Sequence, residues 1–224
     1  HNDARRQRQM CIRDSIRVNP ISEQVGQDDM AMLSENDLSS IAFMVPKIEE
    51  SDLITNLPDV DVIALLETPV SIKNISEIAS QVKVKGLALG GADLSASLGS
   101  TMDWDSLLYA RSKIVQEAAI NNLFSIDSPF MNIDNLDALK DESIKSKRLG
   151  FNGKAAIHPS QIDIIKNSFL PTKEELEEAK DIIRAFNESS SAVLAFKGRM
   201  IDLPIILSME KRLRLVGIDP KNID

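Results

Sequence analysis

The chain has 224 residues, and its 34 acidic and 26 basic side chains give it a formal net charge of −8 at pH 7. This balance repels the phosphate backbone of nucleic acids, and the single cysteine, Cys11, excludes an intramolecular disulfide and a cysteine-rich zinc site. No apolar run approaches the roughly 18 residues that span a bilayer, and no signal-peptide core is present. We therefore expect one soluble, cytoplasmic domain with neither nucleic-acid nor membrane partners.

The first 14 residues differ in character from the rest of the sequence. They begin with a histidine, carry Arg5, Arg6, Arg8 and Arg13, and lack apolar periodicity. A basic arm that binds a partner is one interpretation, and a non-native or disordered segment is the one we adopt. The predicted fold therefore starts after residue 14.

From residue 16 onward, short apolar runs alternate with longer amphipathic segments, which predicts successive βα units. The predicted strands cover residues 16–19, 41–45, 62–66, 86–89, 124–126 and 154–157. The predicted helices cover residues 28–38, 49–57, 70–82, 104–122 and 133–149. Farther along, a proline begins segment 159–169, a capping box of Thr172 and Glu175 begins a helix to about residue 187, and another helix follows Asp202. Spacing alone leaves open a closed eight-stranded barrel or an open sheet of six strands.

Polar residues lie at the ends of several predicted strands. Glu67 follows one strand, Asp93 follows another after Gly90-Gly91-Ala92, and Arg17 lies within the first. Because ligands of parallel α/β folds gather at the carboxyl edge of the sheet, these side chains are expected to converge there. Two carboxylates are hard oxygen ligands that suit Mg2+, although each of them also has a simpler interpretation as a helix cap or a lysine partner.

The remaining candidate motifs give weaker support for a catalytic or binding role. The Gly90-Gly91 stretch lacks the spacing of a dinucleotide fingerprint or a P-loop, and no Gly-x-Ser-x-Gly elbow is present. His158 at a strand end has two open interpretations, a structural hydrogen bond or a substrate contact. Lys47 follows a predicted strand and Lys154 begins one, which leaves a Schiff-base role open for each, but a surface or ion-pairing role is the more common one for lysine.

Seven motifs in order give the chain a resemblance to a known family. They are Ile16-Arg17-Val18-Asn19-Pro20, Val45-Pro46-Lys47-Ile48-Glu49, Leu66-Glu67-Thr68, Leu87-Ala88-Leu89-Gly90-Gly91-Ala92-Asp93-Leu94, Tyr109-Ala110-Arg111-Ser112, Gly153-Lys154-Ala155-Ala156-Ile157-His158-Pro159 and Gly198-Arg199-Met200-Ile201-Asp202. Together they resemble the citrate lyase beta-subunit family of the HpcH/HpaI aldolase superfamily. The resemblance implies an α/β fold, a (β/α)8 TIM barrel of the phosphoenolpyruvate/pyruvate type, in which the six predicted strands match the third to eighth and the first two are absent.

The resemblance also implies roles for individual residues. Glu67 and Asp93 match the Mg2+ ligands of the family, and Arg17, Glu67, Gly91 and Ala92 match positions that hold the substrate. Asp202 matches an acidic residue that acts as the acid/base in the active site of a neighbouring subunit, which implies a homo-oligomer, a trimer or a hexamer. A weaker suggestion places coenzyme A near Tyr109, Arg111 and Lys154.

The expected function is a Mg2+-dependent carbon–carbon lyase that cleaves a hydroxyacyl-CoA of the citramalyl-CoA, malyl-CoA or citryl-CoA kind to acetyl-CoA and an oxo acid. A class II aldolase of pyruvate or another 2-oxo acid is the alternative, and an inactive fragment of the lyase is a third hypothesis. The expected organisation is a segment 1–14 outside the fold, a partial barrel over residues 15–188, and a C-terminal extension over 189–224 that carries Asp202.

Overall fold

Six parallel strands form the main sheet in a computed structural model that describes residues 15–34, 41–189 and 193–223. The strands are β1 (Ser15–Arg17), β2 (Ala42–Val45), β3 (Asp61–Leu66), β4 (Val84–Leu89), β5 (Phe124–Asp127) and β6 (Gly153–Lys154). Each strand pairs with the next in the chain, so the order across the sheet is β1-β2-β3-β4-β5-β6. The predicted βα alternation is confirmed for the described strands. Residues 1–14 lie outside the described residues.

Helices connect these strands, as parallel pairing requires. They are α1 (Gln24–Ser34), α2 (Ser51–Thr55), α3 (Pro69–Lys73), α4 (Ile75–Ala79), α5 (Gly91–Leu98), α6 (Leu108–Ile120) and α7 (Leu136–Leu149), followed by a 3-10 turn (Pro159–Gln161) and α8 (Ile162–Phe169). None of the described helices combines the length and apolarity needed to cross a bilayer.

The two faces of the sheet differ, which distinguishes the two folds that spacing left open. One face forms an apolar cluster made of strand residues only: Ala42, Met44, Ile63, Leu65, Ala88, Phe124 and Ile126. The alternate residues, such as Val62, Ala64 and Leu87, are fully buried on the face that α4 and α6 cover. A doubly wound sheet reverses its strand order and carries helices on both faces, whereas sequential order with helices on one face gives the curled half-barrel seen here.

A glycine allows the strand-only face to pack closely. Gly86 pairs with Phe124 across β4 and β5, and a Cβ on Gly86 would lie 2.4 Å from the Phe124 ring. The aromatic ring therefore occupies the space that a side chain at position 86 would need. Through Ile63 and Met44 the same row of pairs runs to Arg17 on β1, which places Arg17 on this face.

Several predicted boundaries shift for identifiable reasons. The predicted helix 70–82 is two short helices, because Asn74 breaks it and donates from its side-chain amide to the Glu49 carbonyl at 2.8 Å. The helix predicted from 104 begins at Leu108, after a turn in which Asp103 accepts from the Ser106 N–H. The strand predicted over 154–157 ends at Lys154, since the Ile157 N–H donates to the Gln161 side chain instead.

The C-terminal part of the chain forms a second compact unit, residues 166–224. It contains α9 (Lys173–Glu188), the hairpin β7 (Leu194–Phe196) and β8 (Arg199–Ile201), and α10 (Leu203–Arg214). The predicted capping box is confirmed: Thr172 accepts from the Glu175 N–H and Glu175 accepts from the Thr172 N–H. Lys197 and Gly198 both have positive φ, as the two-residue turn of a type I′ hairpin requires.

The unit boundary at 165/166 lies earlier than the predicted one at 188/189. The reason is the packing of α9, which we had assigned to the barrel. Its buried residues Ala179 and Ile183 pack against Leu213 of α10, and Ile182 packs with Ile201 and Ile206. The apolar face of α9 therefore belongs to the second unit. Most of the serine loop at 189–191 lies outside the described residues.

Candidate metal and substrate site

Glu67 lies directly after β3 at the carboxyl edge of the sheet. Alternation from Ile63 and Leu65 continues to Glu67 and places it on the strand-only face, where it is 2% exposed. Its Oε1 accepts a hydrogen bond from the backbone N–H of Lys47 at 3.1 Å. Lys47 has φ of 51°, a conformation that non-glycine residues adopt at a cost, so the chain after β2 is bent in a way that directs this N–H at the carboxylate.

A glycine after β4 makes room for the same carboxyl group. A Cβ on Gly90 would lie 2.4 Å from Glu67 Cβ and 2.7 Å from its Oε2, and the Gly90 N–H donates to the Leu66 carbonyl at 2.9 Å. The ends of β3 and β4 are therefore in close contact. Because Lys47 holds Oε1 and Gly90 borders Oε2, the glutamate side chain is confined to one position.

Asp93 and Arg17 complete the group around Glu67. Burial raises the pKa of Glu67 to about 7, and the charge of Asp93 and a hydrogen bond with its carboxyl group act in the same direction. The positive charge of Arg17 and the N–H of Lys47 oppose this rise. The fold thus brings together three predicted site residues, a buried glutamate, an exposed aspartate and an exposed arginine.

The chemistry of this donor set fits a hard divalent cation. Two carboxylates that repel each other lower their energy when a cation lies between them, and Mg2+ is commonly held by one or two carboxylates with water and substrate in its remaining positions. No group of three or more His, Cys, Asp or Glu side chains in the described part of the chain is arranged to hold a metal ion. The pair therefore fits Mg2+ better than a metal that needs a closed set of protein ligands.

Gly91 and Ala92 form the first turn of α5, immediately before Asp93. Gly91 is buried and Ala92 is exposed, and both residues belong to the turn whose backbone N–H groups have no partner within the helix. An anionic oxygen near the carboxylate pair would find these donors next to it. Their position agrees with the predicted role in substrate binding, which stays a prediction.

Asp202 belongs to the second compact unit. It is the N-cap of α10, and its Oδ1 accepts from the Ile205 N–H at 3.4 Å, while the residue is half-buried. Capping accounts for an aspartate at this position without any catalytic role. The long hydrogen bond leaves most of the hydrogen-bonding capacity of the carboxylate unused, so the predicted acid/base role is compatible with the cap.

Two of the three residues suggested for coenzyme A are buried in ion pairs. Arg111 of α6 donates to Asp127 Oδ1 at 2.8 Å, and Lys154 of β6 donates to Asp127 Oδ2 at 2.8 Å and to Glu142 Oε1 at 2.6 Å. The side chains of Arg111, Lys154 and Asp127 are fully buried. Neither cation is available to a ligand, and Lys154 is not placed for a Schiff base.

Tyr109, the third of these residues, is 72% exposed and lines a separate cavity of about 340 Å³ in the helix layer. The cavity is apolar at Pro69, Leu94 and Leu98, and its lining contains none of the residues predicted for the metal, the oxo acid or the acid/base role. His158 caps the 3-10 turn through its Nδ1, which lies 2.8 Å from Ser160 Oγ. The structural interpretation of His158 accounts for this geometry.

The sequence analysis missed Asp127, the centre of the buried cluster. Burial acts to raise the pKa of Asp127, but the charges of Lys154 and Arg111 and hydrogen bonds from Lys154 and Ser146 outweigh it and hold the pKa below its usual range. The alternation of side chains along β5 indicates that Asp127 is buried. Ser125 and Asp127 fall on the helix-facing side, where an acid requires a buried partner.

A parallel sheet in sequential order with paired carboxylates at its carboxyl edge is the arrangement of α/β-barrel proteins that bind ligands at that edge. The chain matches the model of the HpcH/HpaI aldolase/citrate lyase family over residues 2–159. It therefore belongs to this family.

Among curated relatives, the chain is similar to the mitochondrial citramalyl-CoA lyase of Mus musculus, with 27% identity over 85% of this chain and 65% of the relative. It is also similar to the citrate lyase subunit beta of Haemophilus influenzae, with 29% identity over 87% of this chain and 74% of the relative. The chain thus spans 65% of the length of the mouse protein.

Among solved structures, it is similar to the protein CitE from Mycobacterium tuberculosis in complex with magnesium, acetoacetate and coenzyme A. The two share a TM-score of 0.82 and 28% identity, over 91% of this chain and 78% of that one.

Proposed function

We propose that this chain is part of a Mg2+-dependent carbon–carbon lyase that cleaves a hydroxyacyl-CoA to acetyl-CoA and an oxo acid. The observation that carries the proposal is the Glu67–Asp93 pair, in which a buried carboxyl group with a pKa raised to about 7 lies beside a second acid and Arg17. The name of one relative, a citramalyl-CoA lyase, supports the thioester class, and the name of another, a citrate lyase subunit, supports the lyase class. We propose further that β1–β6 are the third to eighth strands of a (β/α)8 barrel.

Glu67 and Asp93 would hold the metal ion, which supplies positive charge beside the substrate oxygen that becomes a carbonyl. Arg17, on the same face of the sheet, would bind the carboxylate or carbonyl of the oxo-acid half and orient it. The first-turn N–H groups of Gly91 and Ala92 would donate hydrogen bonds to a second oxygen of that half.

Cleavage breaks one carbon–carbon bond and the O–H bond of the substrate hydroxyl. The O–H electron pair forms the carbonyl, the hydroxyl proton passes to solvent water, and the electron pair of the carbon–carbon bond stays on the acetyl-CoA carbon. In the proposed reaction that carbon takes a proton from the carboxyl group of Asp202, and in the reverse direction the Asp202 carboxylate removes a proton from the acetyl methyl group. We propose that Asp202 comes from a neighbouring copy, so that the active enzyme is a homo-oligomer, a trimer or a hexamer.

The test measures Mg2+-dependent release of acetyl-CoA from citramalyl-CoA and from malyl-CoA. It compares this chain with a version lengthened at its N-terminus by the two strands that the resemblance predicts, each with and without Asp93→Ala. Asp59→Ala, at an exposed aspartate in the same unit, is the matched control. We expect activity that requires Mg2+, is abolished by Asp93→Ala and is unchanged by Asp59→Ala.

The alternatives give different results in the same assay. Protein that binds Mg2+ and pyruvate but cleaves neither thioester is a 2-oxo acid aldolase instead. If only the lengthened version is active, this chain by itself is an inactive fragment of the lyase. Activity that survives Asp93→Ala or persists without a divalent cation would refute the proposed site.

Mixing two inactive variants tests the role of Asp202. Arg17→Ala and Asp202→Ala protomers each lack one part of the site, so mixed oligomers would contain some sites with both residues intact. Dissociating and reassembling equal amounts is expected to restore part of the activity. A mixture that stays as inactive as its components would show that Asp202 acts within its own copy or not at all.

A further inference from the structure

The start of α5 is held tightly between the ends of two other strands. On one side, Gly90 is in contact with Glu67 after β3. On the other side, a Cβ on Gly91 would lie 2.9 Å from the Oγ and 3.0 Å from the Cβ of Ser128, which follows β5. Two consecutive glycines thus allow α5 to begin in a gap that any side chain would close. Asp93 follows two residues after Gly91, so the position of the start of α5 determines the position of the Asp93 carboxylate.

Ser128 is itself fixed by Arg111. It is fully buried, and the Arg111 Nη2 donates to its Oγ at 3.3 Å. The guanidinium cannot shift, because Nε donates to Asp127 at 2.8 Å and Nη1 donates to the Trp104 carbonyl at 3.3 Å. The same guanidinium carbon lies 4.6 Å from the centre of the Trp104 ring. Arg111 therefore holds Ser128 with a guanidinium in which each of the three nitrogens donates a hydrogen bond.

The buried cluster around Arg111 supplies rigidity without a net charge. Asp127 and Glu142 balance Arg111 and Lys154, and Ser146 of α7 donates to Asp127. These side chains connect α6, β5, α7 and β6 on the helix-facing side of the sheet. Ser128 is therefore linked through Arg111 to four elements. A shift of Ser128 would require several buried ionic contacts to break together.

We propose that Arg111 and Ser128 are positioning residues for the metal site, because Ser128 meets Gly91 and so sets where α5 places Asp93 relative to Glu67. This inference rests on the proposed function, since it assumes that the carboxylate pair holds the cation. Neither residue touches the metal or the substrate. Their effect passes through van der Waals contact with the backbone at Gly91 and not through charge.

A rescue experiment tests the contact between Ser128 and Gly91, with the Mg2+ dissociation constant measured by titration calorimetry on the full chain without substrate. Gly91→Ala forces the backbone away from Ser128, and we expect Mg2+ to bind about tenfold more weakly. Adding Ser128→Gly removes both atoms that the new methyl group meets, so the double variant should bind Mg2+ more tightly than Gly91→Ala alone and about as tightly as Ser128→Gly alone. Met102 Cε, 3.1 Å from the same point, is the end of a flexible side chain and can move.

A second pair of substitutions tests Arg111. Arg111→Lys keeps the charge beside Asp127 but replaces the guanidinium with one nitrogen, and Ser128→Ala removes the hydroxyl that the guanidinium holds. Each is expected to weaken Mg2+ binding, and the double variant should be no weaker than the worse single variant. Ser125→Ala is the matched control, because Ser125 is a buried serine on β5 whose hydroxyl contacts Asn152 and not Ser128 or α5.

The outcomes separate this inference from the function on which it rests. If Gly91→Ala lowers the melting temperature but leaves Mg2+ affinity unchanged, or if Ser128→Gly adds to its damage, the positioning role is refuted while the lyase proposal stands. If the rescue succeeds but neither this chain nor the version lengthened at its N-terminus cleaves a thioester, the positioning role stands and the lyase proposal fails. A native chain that binds no Mg2+ overturns both.

Discussion

Glu67 and Asp127 are buried acids at the carboxyl ends of two strands of one sheet, but their surroundings differ. Asp127 faces the helices and is contacted by two cations and a serine hydroxyl. Glu67 lies on the strand-only face beside another acid, with the charge of Arg17 and one backbone N–H to offset it. Burial acts to raise the pKa of both acids, and only for Asp127 do its partners reverse the direction.

The difference shows how one fold separates a structural charge from a functional one. A buried carboxylate whose partners all belong to the protein stabilises the folded state and has no capacity left for a ligand. A buried carboxyl group placed next to a like charge costs stability, and that cost is offset when a cation binds. Asp127, on the helix-facing side of the sheet, is the structural carboxylate. Glu67, on the strand-only face, is the one that can bind a cation.

Removing the charge of Asp127 is expected to have the largest effect. Asp127→Asn leaves Arg111 and Lys154 buried without their central partner, and we expect the free energy of unfolding to fall by about 3–5 kcal/mol. Urea unfolding at pH 7 followed by circular dichroism measures this, with Asp59→Asn as the surface control. A loss below about 1 kcal/mol would mean that the cluster is not a structural element.

Glu67→Gln should change the free energy of unfolding by less than Asp127→Asn does, and should raise it instead of lowering it. Because the pKa of Glu67 is raised from 4.5 to about 7, the folded chain holds a proton there that the unfolded chain releases, so stability falls as pH rises from about 4.5 to about 7. Asp127 adds no slope in this window, since its pKa lies below 3.8 in the folded state. After allowance for solvent screening, Glu67→Gln should recover about 1–2 kcal/mol at pH 8.

The measurement is the unfolding free energy of the metal-free chain between pH 5 and pH 8, with and without the substitution. The native chain should lose stability across this range, and the variant should show a flatter profile. Saturating Mg2+ should remove the loss in the native chain but not change the variant. Equal slopes for the two chains would contradict the assigned pKa of Glu67.

The smallest expected effect is that of salt. Asp93 is exposed, so raising ionic strength from about 0.01 M to about 1 M should screen its repulsion of Glu67 and lower the midpoint of that titration by a few tenths of a pH unit. The buried Asp127 cluster is shielded from ions and should not respond. Titration of the Glu67 and Asp127 carboxyl groups by nuclear magnetic resonance at both ionic strengths checks this. An equal response of the two groups would contradict the proposed difference between them.

The sequence predicted which strands and helices the fold contains better than it predicted their boundaries and arrangement. Short apolar runs located the six strands of the main sheet, and Thr172 with Glu175 fixed the start of α9. The break at Asn74 was not predictable, because it depends on a hydrogen bond to Glu49, 25 residues away in the chain. Period and spacing are local properties, whereas that contact exists only after the chain has folded.

The candidate site shows the same division at the level of single residues. The position after a strand identified Glu67 and Asp93, and the ordered motifs identified the family, because both depend on which residues follow which. The sequence did not distinguish Arg111 and Lys154 from ligand-binding cations. Their role depends on Asp127, Glu142 and Ser128, which packing between the sheet and the helices brings within hydrogen-bonding distance.

By itself, the sequence determined the alternation of strands and helices, the position of Glu67 and Asp93 after two strands, and the family to which the chain belongs. Tertiary structure decided the sequential order of the strands, the separation of the second unit at residue 166, and which buried charges are satisfied. The physical reason is that propensity and periodicity act over a few residues. Burial, charge pairing and pKa depend instead on neighbours that only the folded chain supplies.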